Sequence, residues 1–162
     1  MRQLVMNRVF PLVFALAVIL TSCGDKTSEK DKYINELMGK MTLREKLGQM
    51  NLPMWDSTTM TDSVLISMAK EGSIGGLWNF NGDADAKHIQ TIITGNSRLG
   101  IPILFGADVN HGHRTVFPIG LAMSCSWDME AIEKAARISA TEAAADGICW
   151  TYSPTVDICH DP

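Results

Sequence analysis

Positive charge is scarce in this chain, and the scarcity removes whole classes of partner. Lysine and arginine number 14 against 18 acids, a formal net charge of −4. Residues 1–22 hold Arg2 and Arg8 and no acid, so without them the charge is about −6. No basic stripe interrupts that balance, so there is no electrostatic footprint for nucleic acid, and neutral ligands fit better. Long apolar runs are missing too. The longest, Val9 to Leu20, has 12 residues and contains Pro11, short of the roughly 20 needed to cross a bilayer. Cysteine is sparse and no CxxC pair points to zinc. After Cys23 come Cys125, Cys149 and Cys159, an odd count that leaves at least one thiol free in an exported protein. Cys149 and Cys159 flank an expected strand whose ends lie too far apart for a bridge. Buried free thiols are the expectation. GxGxxG, P-loop, HExxH and GxSxG motifs are all absent.

What is present is ordinary globular material, 46% hydrophobic and 20% charged over 162 residues, behind a leader. Arg2 and Arg8 form a positive start and Val9 to Leu20 an apolar centre, the pattern of a secretory signal over residues 1–22. Leu20-Thr21-Ser22-Cys23 then resembles a bacterial lipobox, and the polar run from Gly24 to Asp31 resembles the tether that follows one. The expectation is a signal peptide over 1–22, a tether over 23–31 lipidated on Cys23, and a domain from 32 onward. Acyl chains on Cys23 contribute about 0.8 kcal/mol per buried methylene. The protein is then exported to the periplasm or cell envelope and held to a bacterial membrane by its anchor, without spanning it.

Along the domain, Ile34, Leu37, Met38 and Met41 recur at helical spacing. Thr42-Leu43-Arg44-Glu45 is a capping-box sequence that opens a helix through Leu47 and Met50. Val64, Leu65, Met68 and Ala69 mark a helix ended by Gly72. Ser73 to Asn79 reads as a strand whose Gly75-Gly76 pair permits close backbone approach. Ala86, Ile89, Ile92 and Ile93 define a helix closing at Gly100, and Ile101 to Gly106 a buried strand with Pro102 near its start. Ser126 or Asp128 caps a long helix ended by Gly147, and Ile148 to Val156 is a third strand. Strands alternating with helices predict a parallel α/β sheet. Three strands do not close an eight-strand barrel, so the predicted fold is the first strands and helices of a partial (β/α)8 barrel.

Barrels of that kind carry their chemistry at the C-terminal ends of strands. That rule selects Trp78, Asn79 and Asn81 after the first strand, Asp108, Asn110, His111, His113 and Arg114 after the second, and Asp157, His160 and Asp161 after the third. Carboxylates accept from vicinal hydroxyls and an indole covers C–H patches, as a sugar requires. At Asp108 to Arg114 three readings stand side by side. One is a sugar-hydroxyl clamp on Asp108. Another is a metal site, since His111-Gly112-His113 is an HxH triplet beside a carboxylate. The third is a hydrogen-bonded turn with Asp108 capping amides, His111 satisfied internally and Arg114 paired with an acid.

Several segments then resemble one family. Lys40-Met41-Thr42-Leu43-Arg44-Glu45-Lys46-Leu47-Gly48-Gln49-Met50 is similar to the opening of glycoside hydrolase family 3. The run from Leu99 to Gly112 resembles its L-G-I-P-L-x-x-G-x-D-x-x-H-G block, and Thr115 to Pro118, Ser126 to Asp128 and Pro154 to Pro162 follow in order. The resemblance covers residues 31–162 and favours the β-glucosidase or β-xylosidase branch. It implies that Asp108 binds hydroxyls of the terminal non-reducing sugar, with Trp78, His111, Arg114 and Asp161 as possible site lining and with no metal or cofactor. The implied substrate is a β-linked oligosaccharide or aryl glycoside.

The family's mechanism is retaining: a carboxylate forms a glycosyl-enzyme that water resolves, the two carboxyls standing ~5–5.5 Å apart. In the family the arginine of a D-P-R-W-G-R motif, the Lys-His pair, the aspartate nucleophile and the glutamate acid lie beyond the position matching Pro162. The expectation is therefore an N-terminal portion over 32–162 with no catalytic residue of its own, inactive alone. Asp108, Asp157 and Asp161 are not nucleophile or acid. His113 stands where the family often has an aromatic residue, and His160 where it has arginine. The alternative is a non-catalytic, lipid-anchored carbohydrate-binding protein.

Overall fold

A computed structural model describes residues 28–82 and 84–154. The leader, Cys23, and the expected positions Asp157, Cys159, His160 and Asp161 lie outside the described residues. Helix α1 (Glu29–Lys40) belongs to the first of two compact units, which ends at Lys40. It starts inside the expected tether because Ser28 caps it: Ser28 Oγ accepts from the Asp31 amide at 3.1 Å, and the Ser28 amide donates to Asp31 Oδ2 at 3.3 Å.

The second unit begins with α2 (Leu43–Gln49). Its capping box forms as expected. The Glu45 amide donates to Thr42 Oγ1 at 3.2 Å, and the Thr42 amide donates to Glu45 Oε2 at 2.8 Å. Helix α3 (Asp62–Glu71) follows, then β1 (Gly76–Leu77), α4 (Ala86–Asn96), β2 (Leu104–Ala107), the short α5 (Gly120–Ser124), α6 (Met129–Ala145) and β3 (Trp150–Thr151). The strands pair in parallel in the order β1-β2-β3, Gly76 opposite Leu104 and Gly106 opposite Trp150. Each connection is a helical crossover, as parallel neighbours require.

The strands are shorter than the sequence predicts, for identifiable reasons. Gln90 of α4 takes both backbone groups of Ile103: its Nε2 donates to the Ile103 carbonyl at 3.1 Å and its Oε1 accepts from the Ile103 amide at 3.0 Å. β2 therefore opens at Leu104, not at Ile101. Around β1, extended chain continues on both sides. The Gly75 amide donates to Asn51 O at 3.0 Å, Trp78 N to Pro53 O at 3.1 Å, and Trp55 N to Trp78 O at 2.7 Å. Residues 51–55 thus run beside β1 as a further edge, with Met54 bridging Trp78 in parallel. Gly75 permits this: a Cβ there would collide with the Gln49 carbonyl oxygen.

Side chains alternate across a sheet. One face carries Leu77, Phe105 and Ala107, all buried beneath Leu65 and Ala69 of α3 and Ile89 and Ile93 of α4. Phe80 joins them, its ring 4.7 Å from Phe105 and 5.7 Å from Trp55. By register the other face carries Met54, Trp78, Leu104 and Trp150, exposed by 47%, 37%, 49% and 42%. Both faces are apolar and the described residues cover only one. The two described cysteines, Cys125 and Cys149, are free, as expected, but exposed rather than buried. Cys125 ends the surface helix α5, and Cys149 lies at the start of the edge strand, where its Sγ accepts from the Phe105 amide at 3.3 Å.

Candidate functional site

Asp108 directly follows β2 and is exposed. Continuing the alternation one step past Ala107 places it on the open face, with Gly106 and Leu104. Its carboxylate makes no hydrogen bond to another described residue. Trp78 stands on the same face after β1, its backbone engaged with Pro53 and Trp55 and its indole partly exposed.

The loop beyond Asp108 is held elsewhere. His111 Nδ1–H donates to the Phe117 carbonyl at 3.1 Å, and the Phe117 amide donates back to the His111 carbonyl at 2.8 Å. His113 Nε2–H donates to Asp146 Oδ2 at 2.6 Å, and Arg114 Nε donates to the same oxygen at 2.9 Å. A second guanidinium nitrogen of Arg114 meets Asp146 Oδ1. Glu142 takes the amides of Arg114 and Thr115 at 2.9 and 2.8 Å and the Thr115 hydroxyl at 2.6 Å. The C-terminal end of α6 therefore braces the loop through two carboxylates.

These contacts separate the three readings of Asp108 to Arg114. The turn describes His111, His113 and Arg114, whose polar groups go to a carbonyl and to acids. It does not describe Asp108, which caps no amide. His111 Nδ1 and His113 Nε2 go to different partners, and among the described residues no group of three or more His, Cys, Asp or Glu is placed to hold a metal ion. Asp146 is held down to about 2, first by Arg114 and then by His113, against the effect of its burial. Glu142 is lowered by its bonds to Thr115.

A phenol absent from the sequence-based set stands on the same sheet face as Asp108. Tyr152 follows β3, its amide donating to the Ala107 carbonyl at 3.2 Å. Its ring lies over Gly106, where any Cβ would collide with the hydroxyl. Burial, and then the charge of Asp108, raise its pKa above the usual phenol value. The signal that could have found it is period two along the third strand, counted from Trp150. A cleft of about 610 Å³ lies between α6, β3 and the 109–124 segment and is walled by Phe117, Met123, Ile132 and Trp150. Asp108 and Trp78 do not line it, and its apolar wall offers little to a sugar.

Residues 42–162 match the glycosyl hydrolase family 3 N-terminal domain. The chain belongs to that family. Among proteins similar to it, the family 3 chain is 38% identical over 133 residues to the periplasmic beta-glucosidase of Salmonella typhimurium, covering 82% of this chain and 17% of that one. It is 30% identical to the lysosomal beta glucosidase of Dictyostelium discoideum, covering 83% and 20%. The fold matches the beta-glucosidase of Listeria innocua in complex with glucose at a TM-score of 0.67 and 36% identity, over 81% of this chain and 20% of that one. A mutant of the Listeria protein is also solved in complex with laminaribiose, with a TM-score of 0.68. The chain thus spans about a fifth of the length of these relatives. The mixed helix and parallel-sheet architecture is that of the N-terminal region of a family 3 beta-glucosidase.

Proposed function

We propose that this chain forms the sugar-holding N-terminal part of an exo-acting, retaining β-glucosidase, with Asp108 binding hydroxyls of the terminal non-reducing residue. The observation that carries the reading is the Asp108 carboxylate itself: exposed at the end of β2, without a hydrogen bond to any described residue, and on the same sheet face as Trp78. A carboxylate accepts from two vicinal hydroxyls, and each charge-assisted bond contributes ~1.5–3 kcal/mol. An aromatic face beside it suits the C–H side of a pyranose. Glucose in the Listeria relative supports the substrate class.

Partial-barrel architecture is part of the same reading. All-parallel sheets are covered on both faces, and here the face bearing Asp108 is apolar and open. Further strands and helices of a (β/α)8 barrel supply that cover, along with the nucleophile, the acid and their retaining chemistry. Export to the cell envelope and anchoring through Cys23 complete the proposal; the periplasmic relative in Salmonella supports export.

Asp108→Asn in the full-length protein tests the site. The loss of two charged bonds lowers kcat/KM on an aryl β-glucoside by about 10²- to 10⁴-fold, while wild-type kinetics removes Asp108 from the site. Residues 23–162 expressed alone hydrolyse no aryl β-glucoside; turnover by that piece refutes the division of labour. For the anchor, Cys23→Ser shifts the protein from the membrane fraction to the soluble one, and unchanged fractionation discards lipidation.

A further inference from the structure

Tyr152 carries a buried phenolic oxygen with no hydrogen-bond partner among the described residues. Buried hydroxyls are nearly always partnered, and an orphan in a native fold calls for an explanation. Three contacts fix where this one points. The backbone of Tyr152 is tied to Ala107, its ring stacks edge-on against Trp150 at 5.0 Å, and its hydroxyl lies over the bare Cα of Gly106. Register then puts Trp150, Gly106 and Tyr152 on one face of the sheet, the face on which Asp108 follows two residues later. The carboxylate is near enough for its charge to act on the phenol, yet no hydrogen bond joins them.

We infer that the Tyr152 O–H is a second polar contact for the sugar ring, donating to a ring hydroxyl that itself donates to Asp108. This rests on the reading of Asp108 as the sugar-binding carboxylate and extends it. A sugar hydroxyl offers one hydrogen and two lone pairs. Asp108, ionised, only accepts, so it uses the hydrogen and leaves the lone pairs unserved. The phenol only needs an acceptor. A chain running phenol, sugar hydroxyl, carboxylate satisfies all three groups, and each bond polarises the next. A phenol is protonated at neutral pH, and burial raises the pKa of this one further, so the donor is present there. Ligands lacking that hydroxyl lose both bonds at once, which makes Tyr152 a determinant of specificity as well as affinity.

The test uses the full-length protein and three forms: wild type, Tyr152→Phe and Asp108→Asn, each assayed on an aryl β-glucoside and melted without ligand. Tyr152→Phe keeps the ring and deletes one oxygen. Expected is a fall in kcat/KM of about three- to tenfold, carried by KM, with Tm equal to wild type or higher because an orphan is removed. A phenol serving the fold gives the opposite pair: unchanged KM and a lower Tm, which overturns the inference. Wild-type kinetics in Tyr152→Phe while Asp108→Asn is impaired overturns the Tyr152 contact alone. Wild-type kinetics in both variants overturns the sugar site and the inference together.

Discussion

Gly106 is the residue on which the site's geometry turns. The phenol of Tyr152 occupies the space a side chain would need, its Cζ only 2.8 Å from where a Cβ would stand. Gly106→Ala is expected to displace the ring and to destabilise the protein by about 1–3 kcal/mol, as overpacking does; the midpoint of urea unfolding measures it. Gln90→Ala acts in the opposite sense, by subtraction. It strips both partners from the buried Ile103 backbone and is expected to cost about 1–3 kcal/mol on the same assay, with little change if water replaces the amide. The position of Asp108 at the end of an apolar strand was legible in the sequence, and β2 ends just before it. Period two could put Tyr152 on the face of Trp150, but not beside Asp108, since that requires knowing that Gly106 faces Trp150 across the sheet. Cys125 and Cys149 were read as buried because thiols usually are, yet both sit on exposed peripheral elements.

At the level of elements, what the sequence disclosed was local and what it concealed was distant. The α2 capping box lies within four residues and reads directly; Thr42→Ala is expected to lower stability by about 1 kcal/mol in thermal or chemical melts. The Asp128 cap of α6 was likewise visible, its Oδ1 accepting from the Ala131 amide at 2.9 Å. By contrast, the grip of Glu142 and Asp146 on the loop at His113 to Thr115 joins residues 27 to 33 positions apart, and no periodicity announces it. The extended edge at residues 51–55 was missed for another reason: with Pro53 inside it and no alternation, it lacks any strand signature and is defined only by its bonds to Gly75 and Trp78. Asp161, assigned to the site by resemblance, lies outside the described residues.

On the scale of the molecule, the described carboxyls with lowered pKa, Asp146, Glu45, Glu142 and Asp56, contribute to the response to acid. Asp146 and Glu45 both titrate at about 2, below their ordinary values of 3.8 and 4.5, through arginine bonds in each case. Folded, they hold protons more weakly than unfolded, so their contribution is complete above the unfolded pKa and disappears as pH falls through the folded one. Stability is therefore expected to fall between about pH 4.5 and 2, and Asp146→Asn to flatten that slope; a titration of Tm against pH reads both. Glu45 adds a further consequence. The carboxylate whose Oε2 closes the α2 cap also receives Arg98 from a turn 53 residues on, at 2.9 Å on Oε1 and 2.6 Å on Oε2. Start of one helix and end of another are thereby thermodynamically coupled through one shared anion. Thr42→Ala and Arg98→Ala, combined, will not sum: whichever goes first frees the carboxylate to swing toward the remaining partner.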